Sequence, residues 1–308
     1  MNTNTSSRIR APLLVGTGLA VILPVQAQAQ GIGPDFDARV EFNVIQSDLN
    51  FDQGEGLDSS GFGAQAFIGA DFDLSDTLTV RAEGSGQVFE YDDDDRGTRK
   101  SVGGKVSVEK QVSETVAVEV SVRNAKNIGV LEATSADQTS VLAQVEWGKG
   151  NDRIRVNAEY REREYDTTTA GHGEGYRVYG QYRRRFGSYH WAYIAARHED
   201  MKSDDEPRRS YDRQVIDVKY SHPVAKRVRI LPSLEYRQWK YDARVARGDP
   251  NGDLRKDHYI APAVELAWGR ADRGLYANAA AEYRFRSSND ERYDEDAIRL
   301  EARVGYRF

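Results

Sequence analysis

Arginine and glutamate side chains carry most of the chemistry available to this sequence, and they recur at every second residue of extended segments. Between residues 153 and 166, Arg155, Glu159, Arg161 and Arg163 fall on one face. The equivalent face of other segments carries Arg177, Arg183, Arg185, Glu282, Arg284, Arg286, Arg299, Glu301 and Arg303. Guanidinium groups bind carboxylates and phosphates through paired hydrogen bonds. We therefore predict a charged surface that combines ion pairs with contact sites for polar or anionic solutes.

The opposite face of the same segments is apolar. In the last segment, Ile298, Leu300 and Val304 alternate with Arg299 and Glu301. Successive side chains of a β-strand point to opposite sides, so this period of two predicts strands with one apolar and one polar face. Helical spacing accounts for none of these segments.

The number and spacing of the segments predict the architecture. Fourteen strands are expected at 36–47, 60–74, 77–91, 99–112, 115–126, 137–148, 153–166, 174–186, 188–200, 209–222, 226–242, 256–269, 273–287 and 292–308. Tight connections such as 75–76 alternate with longer polar ones such as 127–136 and 243–255. This sorting is typical of an all-β, transmembrane, antiparallel up-and-down β-barrel. We predict about 14 strands, with roughly 12 to 16 compatible with the pattern.

Aromatic residues favour a membrane barrel over a soluble β-sandwich, whose core the Ala-rich and Gly-rich apolar faces would fill poorly. Strict alternation predicts an outward girdle of aromatic residues at one end of the barrel, formed by Phe72, Trp147, Tyr189, Trp191, Trp268, Tyr306 and Phe308. A weaker outward girdle at the other end consists of Tyr160, Tyr176 and Phe285. The same alternation predicts inward positions for Trp239, Tyr241, Tyr259, His190 and His198. Amphipathic rings prefer the two membrane interfaces.

The first 29 residues have a different composition from the rest. Arg8 and Arg10 precede an apolar run over residues 11–23, and Ala27-Gln28-Ala29 has the form of a cleavage site. This pattern predicts a secretory signal peptide at 1–29, followed by a barrel at 30–308. The sequence contains no cysteine, which argues against a disulfide scaffold, a thiolate metal site and a cysteine nucleophile.

The chain ends in Val304-Gly305-Tyr306-Arg307-Phe308, an aromatic terminus on an alternating strand. This resembles the terminal signature of Gram-negative outer-membrane β-barrel proteins, and the size is similar to that of small monomeric porins. The resemblance implies a location in the outer membrane beside lipid and lipopolysaccharide, and recognition of Tyr306 and Phe308 by the barrel assembly machinery. The final hairpin also looks like the barrel end of surface lipoprotein assembly modifiers. That resemblance implies a role in lipoprotein assembly or secretion instead of a channel.

Two functions follow as expectations. Arginines outnumber carboxylates on the predicted inward faces, so the first is passive diffusion of small polar solutes with a preference for anions. The second is a non-conducting structural, secretion-related or lipoprotein-assembly barrel, occluded by its own ion pairs. No external loop exceeds about 15 residues, so no loop is expected to fold into the lumen.

The sequence offers no enzymatic motif. It contains no Gly-x-Ser-x-Gly, and no histidine and serine neighbour each other on one strand face. His190 and His198 stand eight residues apart, too far for one metal site. Basic residues are dispersed rather than clustered, which argues against nucleic-acid binding. We therefore expect no catalytic activity, no cofactor and no metal.

Overall fold

The computed structural model describes residues 35–47, 59–92, 98–131, 134–166, 171–203, 209–269 and 273–308. The predicted signal peptide at 1–29 lies outside these ranges. No helix within them is long and apolar enough to cross a membrane.

The described chain forms fourteen strands that close into one barrel. They are β1 (Asp35–Ser47), β2 (Ser59–Ser75), β3 (Leu78–Tyr91), β4 (Thr98–Ser113), β5 (Val116–Leu131), β6 (Thr134–Lys149), β7 (Asp152–Tyr165), β8 (His172–Gly187), β9 (His190–Ser203), β10 (Tyr211–Ala225), β11 (Val228–Val245), β12 (Leu254–Gly269), β13 (Gly274–Ser288) and β14 (Ala297–Arg307). Each strand pairs antiparallel with its chain neighbours, which confirms the predicted fold class.

The barrel closes between its first and last strands. Their register runs from Arg39 opposite Arg307 to Ser47 opposite Arg299. Closure pairs the backbone groups of both edge strands, and in a hydrocarbon environment every unpaired group would cost several kcal/mol. The alternating pattern that begins in β1 and ends in β14 is therefore continuous around the wall.

Two-residue turns lie at one end of the barrel, here called the turn end. They are Asp76-Thr77, Glu114-Thr115, Gly150-Asn151, Ser188-Tyr189 and Lys226-Arg227. Several adopt the left-handed backbone that tight hairpins require, with φ of 60° at Gly150, 61° at Tyr189 and 62° at Arg227. The opposite end, here called the loop end, carries longer connections such as 246–253 and 289–296.

The predicted loop at 127–136 is wrong. Strand β5 continues to Leu131 and β6 begins at Thr134, with these two residues paired. The register of this pair shifts between Ala125 and Ile128, and Asn127 lies at the shift with a φ of 57°. The polar composition therefore indicates a hairpin that extends the wall rather than a flexible connection. Strand β14, by contrast, is shorter than predicted. It begins at Ala297 instead of residue 292, so the loop before it is longer.

The outer face of the wall is apolar and exposed. Phe42 is 62% exposed, Val122 51% and Leu266 51%. Exposed apolar patches of this extent are unstable in water and indicate an interaction surface. A lipid environment accepts such a surface without interdigitated packing, since the strands contribute only one face to it.

Strand β9 faces the other way from the prediction. Trp191 points into the barrel, where its ring stacks on Tyr193 at 5.7 Å between centroids and lies under the guanidinium of Arg183 at 4.9 Å. His190 instead contacts Phe186 and Tyr220, and both of these side chains are exposed on the outer face. A register shift between Arg185 and Gly187 at the β8–β9 turn causes the inversion.

The inversion extends along the whole of β9. His198 lies 3.6 Å from Asp212 across the β9–β10 pair, next to residues of the outer face. The inward residues of β9 are consequently Tyr193, Arg197 and Glu199. Six other girdle residues follow the prediction, with Trp268, Tyr306 and Phe308 exposed toward the turn end and Tyr160, Tyr176 and Phe285 exposed toward the loop end. Tyr189 does not, since its ring lies 5.1 Å from the guanidinium of Arg229 on the inner face.

Candidate functional site

Charged residues of the inner face contact one another across intervening strands. The ammonium of Lys219 on β10 lies 2.8 Å from Glu265 on β12. The hydroxyl of Tyr276 on β13 donates to Glu41 on β1 at 2.7 Å. A contact across an intervening strand requires both side chains to lie on the same face of the wall, and Glu41, which is only 4% exposed, lies on the inner one. The lumen is therefore the candidate functional site.

Glu199 is the centre of a buried ion network in the loop-end half of the lumen. Its carboxylate lies 3.1 Å from Arg161 and 2.8 Å from Arg213. The hydroxyl of Tyr211 donates to the same group at 2.6 Å. The Glu199 side chain is fully buried. Carboxylates buried in this way need several donors, since the charge has lost its hydration.

Two further predicted arginines belong to the same network. Arg177 lies 2.6 Å from Glu159, which Arg161 also contacts at 2.9 Å. Arg163 donates to Gln138 at 2.9 Å and to Tyr211 at 3.3 Å. Arg161, Arg163 and Arg177 are thus engaged with the wall, and their charges stabilise it rather than face an open passage.

A second cluster fills the lumen at the start of β12. Asp257 accepts contacts from Arg255 at 2.6 Å, from Arg286 at 3.3 Å and from the hydroxyl of Ser288 at 2.7 Å. Both Arg255 and Asp257 are 1% exposed. The ring of Tyr293, from the loop 289–296, lies 3.4 Å from the Arg255 guanidinium. A loop of eight residues therefore does reach the inner face, contrary to the expectation from loop length.

Asp290 holds the shape of that loop. Its carboxylate accepts from Arg292 Nε at 2.9 Å and Nη2 at 2.6 Å, and from the Arg292 backbone N–H at 3.2 Å. Burial by itself would raise the pKa of Asp290, but these hydrogen bonds outweigh it and lower the pKa to about 2. The loop is therefore organised by an ionised aspartate.

The remaining predicted residues of β13 and β14 pair within their own strands. Arg284 lies 3.0 Å from Glu282, and its guanidinium is 4.1 Å from the ring of Tyr259. Glu301 contacts Arg299 at 2.8 Å and is also bonded to Arg303. Each of these arginines therefore has a carboxylate partner, and the excess of positive charge here is a single arginine.

The turn end holds a different arrangement of arginines. A polar cavity of ≈ 610 Å³ opens there, lined among others by Arg153, Arg155, Arg183, Arg185, Glu146 and Glu109. Glu146 contacts both Arg153 at 3.2 Å and Arg155 at 2.7 Å. Within the described ranges, neither Arg183 nor Arg185 forms an ion pair. The six arginines predicted as one cluster on β7 and β8 thus divide into a buried network and a solvated mouth.

Glycine and serine residues stand between the charged side chains on the wall from β1 to β5. A cavity of ≈ 270 Å³ lies against Gln65, Ser85, Gly103 and Arg123, and another of ≈ 180 Å³ lies against Glu83 and Lys105. Short side chains at these positions leave space in the lumen. On the other side of the barrel, the tyrosines and arginines of β7 to β13 fill the corresponding space. Beyond the mouth, these two cavities provide free volume along β1 to β5.

Sequence reasoning missed Glu199, Arg197, Arg255 and Asp257. Glu199 and Arg197 were assigned outward because the β9 alternation was counted from Tyr189 and Trp191. A usable signal exists in the sequence, since Ile194 and Ala196 are apolar whereas Arg197 and Glu199 are charged. For β12, alternation continued back from Tyr259 places Asp257 and Arg255 on the inner face.

Comparison with solved structures identifies the fold. The outer-membrane channel DcaP of Acinetobacter baumannii aligns over 90% of this chain and 98% of its own, with a TM-score of 0.53 and 10% identity. An anion-selective porin from Comamonas acidovorans aligns over 90% and 100%, with a TM-score of 0.51 and 10% identity. A bacterial polysaccharide outer-membrane secretin aligns over 89% and 98%, with a TM-score of 0.53 and 11% identity.

The chain has the fold of outer-membrane channels. No family model matches the sequence, and neither does the sequence of any curated protein. At 10–11% identity the likeness extends to the fold alone. Function has to be argued from the lumen itself.

Proposed function

We propose that this protein is an outer-membrane channel through which small polar solutes diffuse passively, with a mild preference for anions. One observation carries the proposal: Arg183 and Arg185 line a solvated cavity at the turn end without an ion-pair partner in the described part of the chain. Unpaired guanidinium groups at a mouth raise the local concentration of anions and bind carboxylates or phosphates directly.

The balance of charge at the mouth supports a mild rather than a strict preference. Arg153 and Arg155 share the single carboxylate of Glu146, which leaves a positive excess on β7 and β8. Glu109, Glu114 and Asp152 line the same cavity, so its four arginines face four carboxylates and the preference depends on the two arginines without an ion pair. Beyond the mouth, the free volume along β1 to β5 offers the route through the barrel.

The outer face supports a location in the outer membrane, with lipid and lipopolysaccharide as its neighbours and the turn end toward the periplasm. Tyr306 and Phe308 point outward and are 46% and 54% exposed, which leaves both rings accessible to the assembly machinery. We propose these two residues as the assembly signal and residues 1–29 as the export signal. No catalytic activity, cofactor or nucleic-acid partner forms part of the proposal.

Single-channel conductance in a planar bilayer tests the function. The refolded protein is added to one side and a salt gradient is applied. We expect stable current steps and a reversal potential of the sign that indicates anion preference. A reversal potential of the opposite sign refutes the anion preference, and a folded barrel without any steps refutes the channel.

The buried ion networks favour a second candidate, a non-conducting structural or secretion-related barrel. Glu199 and Asp290 are fully buried, and Arg255 and Asp257 are 1% exposed, so part of the lumen is packed as tightly as a protein core. A barrel that migrates as a heat-modifiable folded species, yet shows no conductance at any voltage, would support this candidate over the channel.

A further inference from the structure

A small cavity in the middle of the lumen wall lies apart from the mouth and from both buried clusters. Its volume is ≈ 190 Å³, and its polar lining comes from Tyr179, Tyr193, Arg197, Asp217 and Glu235. The space exists because two wall residues are short. Ala195 stands opposite Asp217 in the register, Val215 stands opposite Arg197, and both short residues are buried.

One wall of this cavity carries an unsatisfied cation. Arg197 forms no ion pair with any residue of the described ranges. Its neighbours in the β8 and β10 registers are Tyr179 and Val215, neither of which carries a charge. An unpaired guanidinium beside a cavity can accept a carboxylate in the bidentate geometry that this group prefers.

The side of the cavity formed by the next two strands carries two carboxylates side by side. Asp217 and Glu235 are direct register partners on β10 and β11. Tyr193 hydrogen bonds to Asp217, whose Oδ1 is buried and accepts no hydrogen bond. Glu235 is contacted by Arg237 at 2.7 Å and by Tyr259 at 2.6 Å, and both contacts use Oε1. Like charges placed opposite each other are destabilising, so this pair favours a cationic group between them.

These two walls select the kind of solute. A simple anion would meet repulsion from Asp217 and Glu235, whereas a simple cation would meet repulsion from Arg197. A molecule with both charges satisfies the two walls together. A cavity of about 150 Å³ holds a benzene-sized molecule of six non-hydrogen atoms. A small amino acid such as alanine has that size.

We propose that this cavity binds a small zwitterion of the α-amino-acid type, with the carboxylate on Arg197 and the ammonium between Asp217 and Glu235. The site rests on the proposed function, because a solute reaches it only through the lumen. It extends that function by naming the substrate class. Tyr179 and Tyr193 complete the lining and limit the size of the side chain that fits.

Binding to the refolded full-length chain in detergent micelles tests the site, with saturation-transfer NMR as the readout. Three probes of matched size are compared: L-alanine, propionate, which lacks the amine, and ethylammonium, which lacks the carboxylate. Each charged contact contributes about 1.5–3 kcal/mol, so alanine should bind at least about tenfold more tightly than either fragment.

Variants assign the contacts. Arg197→Gln should remove the advantage of alanine over ethylammonium, and Asp217→Asn should reduce its advantage over propionate. Arg123→Gln serves as the control, because Arg123 lines another cavity and forms no ion pair in the described ranges. This variant should bind alanine as the unaltered protein does.

The outcomes separate this site from the proposed channel. Equal binding of alanine and propionate, or no binding of alanine, overturns the zwitterion site, and neither result depends on the folding of a variant. Conductance is measured on the same preparation. Alanine binding without conductance supports the site and refutes the channel, whereas conductance without alanine binding refutes only the site.

Discussion

Arg161 reaches across the inner face of β8 to place its Nη1 atom 3.1 Å from a carboxylate oxygen of Glu199. The two residues belong to strands that do not pair with each other, so this contact ties β7 to β9 independently of the backbone ladder. Glu199 also holds Arg213 on β10. One buried carboxylate therefore links three strands, β7, β9 and β10, in the loop-end half of the lumen.

Replacing Glu199 with glutamine should destabilise the barrel by about 3 kcal/mol, because Arg161 and Arg213 would lose the buried carboxylate that they share. Urea unfolding in lipid vesicles, followed by tryptophan fluorescence, measures the change. Glu109→Gln is the control, since Glu109 faces the lumen but forms no ion pair in the described ranges. Equal stability of the two variants would show that the network contributes little.

The double replacement of Arg183 and Arg185 by glutamine should weaken the anion preference. A unit charge interacts with an ion 4 Å away by about 1 kcal/mol in water, so losing two charges should lower the anion-to-cation permeability ratio several-fold. Reversal potentials in a salt gradient report the ratio. Arg184→Gln is the matched control, because Arg184 lies between the two on β8 and contacts Asp152 at 3.6 Å. An effect of equal size in the control variant would show that Arg183 and Arg185 do not determine the ion preference.

Alanine at Gly305 should destabilise the closing strand by about 1–3 kcal/mol. A Cβ atom at Gly305 would overlap the ring of Tyr276, its register partner on β13. The displaced ring would lose its hydrogen bond to Glu41. The midpoint temperature of the gel-shift from folded to unfolded barrel measures this loss. Gly180→Ala is the control, since nothing lies within 4 Å of a Cβ there, and it should leave the midpoint unchanged.

Acid should loosen the loop 289–296 through Asp290. Folding lowers the pKa of Asp290 from 3.8 to about 2, so the unfolded state takes up a proton first. The stabilisation is therefore complete above about pH 4 and is lost as the pH falls toward 2. Unfolding free energies measured between pH 5 and pH 2.5 should fall more steeply for the native protein than for Asp290→Asn. Parallel curves would show that this carboxylate does not contribute.

The strand pattern could be predicted because it depends on a local rule. An alternating segment such as 298–304 presents one apolar and one charged face whatever its neighbours are. The same rule failed on β9, where one register shift at the β8–β9 turn inverted the side chains of that strand. Trp191 was placed outside for that reason, and Glu199 was overlooked. The segment 127–136 was predicted as a loop because its residues are polar, although most of it belongs to strands β5 and β6.

From the sequence alone, the charged residues could be assigned to one face of a closed barrel, since hydrocarbon tolerates charge nowhere else. Their partners could not be assigned. The separation of Arg161, Arg163 and Arg177 from Arg183 and Arg185 depends on which residues of non-adjacent strands meet across the lumen. That is set by the stagger and tilt of all the strands together. The spacing along the chain contains no such information, so only the closed barrel distinguishes an arginine buried against Glu199 from one that faces solvent at the mouth.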